Sequence, residues 1–141
     1  MLVFEPDYQG IAATSGDRIR IATAWVRKRP DDLGMVIHEL THVVQAYPRG
    51  GPGWLTEGIA DYVRYVQYEK RAVAPKAQRK GSYTAGYWTA APFLAWIAEK
   101  HEPRVVRKAN AAMRSGRRRD DLWKEWTGRD LDALWKDYAA D

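Results

Sequence analysis

Apolar residues recur first at period two and then at helical spacing, which divides the chain into a short β-rich start and a long helical remainder. Leu2–Glu5 is an apolar run closed by Pro6-Asp7. Gly10–Thr14 and Arg18–Ala22 flank Ser15-Gly16-Asp17, and Arg18-Ile19-Arg20-Ile21 alternates strictly, so a hairpin is predicted. Arg29-Pro30-Asp31-Asp32 opens the first long helix, with proline and acids where the helix dipole favours them. Val36, Ile37, Leu40, Val43, Val44 and Tyr47 form its expected core stripe; His38, Thr41, His42 and Gln45 form an opposed polar stripe. Pro48 ends it, and Arg49–Gly53 is a tight Gly/Pro loop.

The next helix is predicted from about Trp54 to Glu69, with Leu55, Ile59, Tyr62, Val63 and Val66 inward and Glu57, Asp61, Arg64 and Tyr68 on the polar face. The short loop between these two helices makes them antiparallel neighbours. Ala72–Ser82 reads as a polar connector. A third helix covers Gly86 to Lys100, where Pro92 is tolerable only in the first turn. Shorter helices are expected at Arg104–Met113, Asp120–Trp126 and Asp130–Tyr138, the last capped by Asp130. The pattern is α+β and mostly helical: an N-terminal hairpin or small sheet, then helices, in one domain spanning residues 1–141.

Composition adds constraints. At 141 residues the chain can bury a substantial core, and seven Trp and eight Tyr supply much of it. There is no Cys, which excludes disulfides, thiolate metal sites and a Cys nucleophile. No apolar run reaches the ~18 residues of a membrane span, and the N-terminus has no signal-peptide pattern. The net charge of +5 gathers in Lys70–Lys80 and Arg117-Arg118-Arg119. Neither cluster has the aromatic interleaving of a nucleic-acid-binding signature, so solvated loops are the expectation and nucleic acid is not an expected partner.

The candidate chemistry lies in His38-Glu39-Leu40-Thr41-His42. Two imidazoles four residues apart on a helix project from one face and can take two corners around Zn²⁺, while Glu39 is placed as general base toward a metal-activated water. With three His and seven Glu in the chain, chance supplies one such pentapeptide with an expectation of roughly 0.003. A catalytic zinc site needs a third protein ligand and one open position. The residues after His42 lack the third His of the metzincin pattern. Glu57, 15 residues past His42 on the following helix, is the remaining candidate. Asp61 follows at i+4, where it can accept the other ring N–H of a ligating His. The competing reading makes Glu57 and Asp61 a solvated face paired with Arg64. His101, beside Glu102-Pro103 at a helix end, is read as structural.

These residues resemble the basic secretory protein family, zinc-peptidase-like proteins of plants and bacteria, with the gluzincin-like pattern HExxH…ExxxD. The resemblance rests on Val36 through Gln45 and Trp54 through Arg64, with further blocks at Tyr83–Leu94 and Asp130–Tyr138. It implies a zincin-like metallopeptidase that is secreted or on the cell surface. His38, His42 and Glu57 would be its zinc ligands and Glu39 its catalytic acid/base. The N-terminal strand region is shorter than the family pattern, which leaves room for a leader or first strands outside this sequence. With no signal peptide here, a cytoplasmic location stays open.

The expected function is hydrolysis of peptide bonds in a peptide or protein substrate by a monomeric zinc metallopeptidase. Tyr87, or else Tyr83, is the candidate donor to the developing oxyanion, set against a plain core role for each. Arg18–Ala22 is expected to be an edge strand able to pair with an extended substrate. The alternative is a non-catalytic module binding anionic polymers, cell-wall glycan or nucleic acid, with a structural or vestigial zinc site. A zinc site that stabilises an assembly is a third reading. Glu39 discriminates among them, since a structural site has no use for a general base beside its ligands.

Overall fold

The computed structural model describes residues 1–71, 81–85 and 87–141, apart from the side chains of Tyr87 and Trp88. Three strands open the chain: β1 (Leu2–Glu5), β2 (Ala12–Ser15) and β3 (Arg18–Ala22). The predicted hairpin is present, with Ser15 opposite Arg18 in an antiparallel ladder. Its two-residue turn needs a positive φ at the first position, and Gly16 supplies it at 60°. β1 adds on the far side of β3 in parallel, Leu2 opposite Ile19, giving the order β1-β3-β2. This corrects one expectation: Arg18–Ala22 is the central strand, and β2 is the edge that borders the cleft described below. Alternation marks β3 as a strand, but only pairing on both sides reveals its place.

Seven α-helices follow among the described residues: α1 (Thr23–Lys28), α2 (Leu33–Gln45), α3 (Gly53–Asp61), α4 (Tyr87–Lys100), α5 (Val105–Arg114), α6 (Leu122–Thr127) and α7 (Leu131–Ala140). The architecture is α+β and mostly helical, as the pattern predicts. The sequence reading did not anticipate α1; its six residues bury none fully, and Trp25 and Val26 merely lean on the core formed by Ile19, Ile21 and Met35. Asp32 caps α2 by accepting from the Met35 N–H at 3.1 Å. Asp130 caps α7 in the same way, accepting from Ala133 N–H at 2.8 Å.

The expected core stripe of α2 splits in two. Met35 is buried and Val36 and Val43 pack toward the sheet, whereas Leu40 is 45% and Val44 56% exposed. The buried polar residues of α2 are Glu39 and Gln45. Helical periodicity identifies the faces, but the polar face here turns inward because it is shared with β2 and α3.

After Asp61 the second helix does not continue as an α-helix to Glu69. Tyr62–Tyr68 widens into a π-helix, in which Glu69 N–H reaches the Arg64 carbonyl at 2.9 Å. Arg64 is then drawn to Asp32 at 2.8 Å and Glu69 at 3.0 Å. That cross-link ties the start of α2 to the end of the π-helix.

The main core joins α3 through α7, with Phe93, Leu94, Ile97, Val105 and Leu134 wholly buried. Pro92 sits in α4 beyond its first turn, contrary to the expectation. A proline inside a helix costs ~3 kcal/mol. Burial of Phe93, Leu94 and Ile97 beside it, each worth about 1.5–3 kcal/mol, more than offsets that cost. α3 and α4 approach closely at Gly58, where an added Cβ would lie 2.6 Å from that of Ala90. Glycine at this position sets how near α3 lies to the core, and therefore where Glu57 points. Among the described residues no helix is long and apolar enough to cross a membrane.

Candidate metal centre

α2 carries His38 and His42 one turn apart, and α3 brings Glu57 against both. The Nε2 atoms of the two imidazoles are 3.1 Å apart. Glu57 Oε2 lies 3.3 Å from the first and 3.4 Å from the second. A tetrahedron with ~2.0–2.1 Å bonds has corners ~3.3–3.4 Å apart. The three atoms thus outline one face of such a tetrahedron, and the group could hold a metal ion.

The outer contacts fix which nitrogens face inward. His38 Nδ1 lies 2.8 Å from Asp61 Oδ1, so its Nδ1–H donates to the carboxylate. Gln45 does the same for His42: its Nε2 donates to the Thr56 carbonyl at 2.8 Å, which turns its Oε1 toward His42 Nδ1 at 2.7 Å. In their neutral forms both rings therefore present bare Nε2 lone pairs to one another and to a carboxylate. Three acceptors with no donor between them require a cation or protons. This donor chemistry, together with the spacing, fits a divalent metal.

Without a metal, protons take that role. Burial disfavours the His38 cation, but hydrogen bonds to Asp61 and Glu57 outweigh it and lift its pKa from 6.5 to about 9. His42 is raised as well: burial opposes charging, and Glu57 and Gln45 overcome it. Hydrogen bonds from His38 and then His42 hold the Glu57 carboxyl down, from 4.5 to about 2, against burial. The raised His38 contributes stability that is complete below pH 6.5 and lost as pH rises through about 9. The lowered Glu57 contributes stability present above pH 4.5 and lost as pH falls through about 2. Metal-stripped protein is therefore expected to melt highest between about pH 4.5 and 6.5 and progressively lower toward pH 9. A thermal midpoint that stays level from pH 6 to 9 would contradict this coupling.

Glu39 is on α2 between the two imidazoles, 8% exposed. Its Oε2 accepts from the Thr14 hydroxyl on β2 at 2.7 Å. The residues meet in a cleft of about 1140 Å³ between β2, α2 and α3, which also receives Tyr8, Tyr47 and Tyr65. Arg64, the partner in the competing reading of Glu57 and Asp61, pairs instead with Asp32 and Glu69.

The structure thus brings together His38, Glu39, His42, Glu57 and Asp61. Tyr83 is not among them. Its ring packs at 4.8 Å from Trp54 and 5.7 Å from Phe93, its hydroxyl bonds Asp132, and the aromatic core holds it away from the cleft. The Tyr87 side chain lies outside the described residues. His101 packs edge-on against Trp96, as a structural residue would. Of the basic clusters, residues 72–80 lie outside the described part, and Arg119 is paired with Asp121 and Glu125. Sequence reasoning missed Thr14, the role of Gln45, and Tyr65. Gln45 left a trace, three residues beyond His42 on the polar stripe; Thr14 left none, because its partner is 25 residues away.

An HExxH helix whose imidazoles meet a glutamate from the following helix forms a two-His, one-Glu group that could hold a metal ion. The chain belongs to the BSP family, described as peptidase of plants and bacteria, whose profile matches residues 1–138. No curated protein and no solved structure matches it.

Proposed function

We propose that this chain is a zinc-dependent metallopeptidase acting on peptide or protein substrates, with residues 1–141 forming one catalytic domain. The family's description as peptidases supports the hydrolase class. The observation that carries the reading is the triangle of His38, His42 and Glu57 acceptor atoms, with a buried carboxylate beside it that belongs to none of its corners.

His38, His42 and Glu57 would hold the ion. Bound there, zinc supplies a Lewis acid that polarises a carbonyl and acidifies water. Asp61 and Gln45 keep the two imidazoles in the tautomer that offers Nε2, and Gln45 also ties α2 to the residue preceding Glu57. Glu39 accepts a proton in the attack step and returns it to the leaving amine. An extended peptide fits along β2, the sheet edge that lines the cleft, and main-chain pairing there orients its scissile bond. Tyr65, whose phenol is held protonated by burial, takes the place of Tyr83 as the described candidate for donating to the oxyanion.

The test is a peptide-library digest of metal-replete protein with and without chelator, beside elemental analysis. Cleavage that vanishes on chelation and returns with stoichiometric zinc is the expected outcome. Metal-replete protein that cuts no peptide, or cuts equally well in chelator, would reject the assignment.

A further inference from the structure

Glu39 is not held by its own helix alone. We propose that Thr14 is a positioning residue for the general base: its hydroxyl pins Glu39 Oε2, leaving Oε1 as the oxygen that takes the proton. The inference rests on the peptidase reading of the same site.

Thr14 Oγ1 is 2.7 Å from Glu39 Oε2 and 3.0 Å from the Glu39 carbonyl oxygen. A hydroxyl has one proton, and a carboxylate is the stronger and here the nearer acceptor, so the proton goes to Oε2. Among the described residues no hydrogen bond is made to Oε1. The two oxygens of an otherwise symmetric group are thereby made different. A glutamate has three side-chain torsions, and without such a contact its carboxylate could rotate within the cleft. Proton transfer needs the acceptor within ~2.6–3.2 Å of the proton's donor atom, so a free rotor loses rate even when its charge and metal neighbours are intact.

The position of Thr14 gives the contact a second consequence. It sits on β2, paired with Ile19 of the central strand, so the sheet backs it rigidly. The other side of β2 is the open edge on the cleft. The strand that would receive a substrate backbone is the strand that holds the base, so docking and proton transfer share one rigid reference.

The experiment compares Thr14→Val and Thr14→Ser with the wild type, all zinc-replete and full length. Valine keeps the branched shape and removes the donor; serine keeps the donor. Thr14→Val is expected to lower kcat ~10–100-fold with KM changed by less than about 3-fold and with metal content unchanged, while Thr14→Ser stays within about 3-fold of wild type. Thermal midpoints of Thr14→Val, Glu39→Ala and the double variant supply a readout that needs no activity: the cost of Thr14→Val should shrink when Glu39 is absent. Equal kcat in Thr14→Val and wild type, equal losses in Val and Ser, loss explained by released zinc, or strictly additive thermal effects would each overturn the role of Thr14. A wild type that hydrolyses no peptide would overturn the peptidase reading and the inference with it, and the thermal cycle would still report whether the contact exists.

Discussion

Replacing Glu39 by Gln is expected to lower peptide hydrolysis by roughly 10²–10⁴-fold, the range general acid–base catalysis supplies, while zinc content stays at the wild-type level. Glutamine has nearly the same shape and still accepts from the Thr14 hydroxyl, so the cleft keeps its packing. It cannot take up a proton at neutral pH. The loss therefore reports on proton transfer alone, and the three acceptor atoms of the metal group are untouched. Steady-state kcat on the best library peptide, with elemental analysis of the same sample, measures it. Undiminished turnover in Glu39→Gln would exclude the mechanism and favour a structural metal site.

Removing Glu57 should do something different in kind. In Glu57→Ala the two imidazoles lose the carboxylate that lies 3.3 and 3.4 Å from their Nε2 atoms, and with it the only negative corner of the triangle. Two neutral ligands on one helix do not make a closed site. Zinc is expected to be lost on gel filtration, and hydrolysis with it. Asp61→Asn should cost only the ~10–100-fold in affinity typical of groups that orient a ligand. Competition with a chromogenic chelator ranks the two variants. A Glu57→Ala protein that binds zinc like the wild type would mean that Glu57 is a surface residue, and that the reading of α3 is wrong.

The candidate metal group was legible in the sequence because each constraint was local. His38 and His42 are one turn apart, and Glu57 and Asp61 are one turn apart on the next helix, so helical geometry alone aligns each pair. A short connection then leaves few ways to join the pairs. What could not be read depended on contacts across the chain. Thr14 reaches Glu39 over 25 residues, and no periodicity marks a strand threonine as a partner. The place of Tyr83 away from the cleft was hidden for the same reason: its neighbourhood is set by Trp54, Phe93 and Trp135, which come from three separate helices.

Two misreadings of burial have a common cause. Leu40 and Val44 were expected in the core and are exposed, while Glu39 and Gln45 are buried. Hydrophobic periodicity assumes that the apolar face goes inward. In α2 the inward direction is shared between the sheet, which takes Met35, Val36 and Val43, and the cleft, which takes the polar face. The misassignment of Arg18–Ala22 as an edge is of the same type, since β1 covers it from far along the chain.

By itself, the order of residues determined most of the helical framework, the hairpin, and which side chains could share a metal, because all of these follow from spacing along one or two elements. The tertiary structure alone decided which strand borders the cleft, which hydroxyl holds Glu39, and that Gln45 spans His42 and the carbonyl beside Glu57. Those are choices among distant surfaces. They are fixed by how the sheet, α2 and α3 pack against one another, and local periodicity carries no information about that packing.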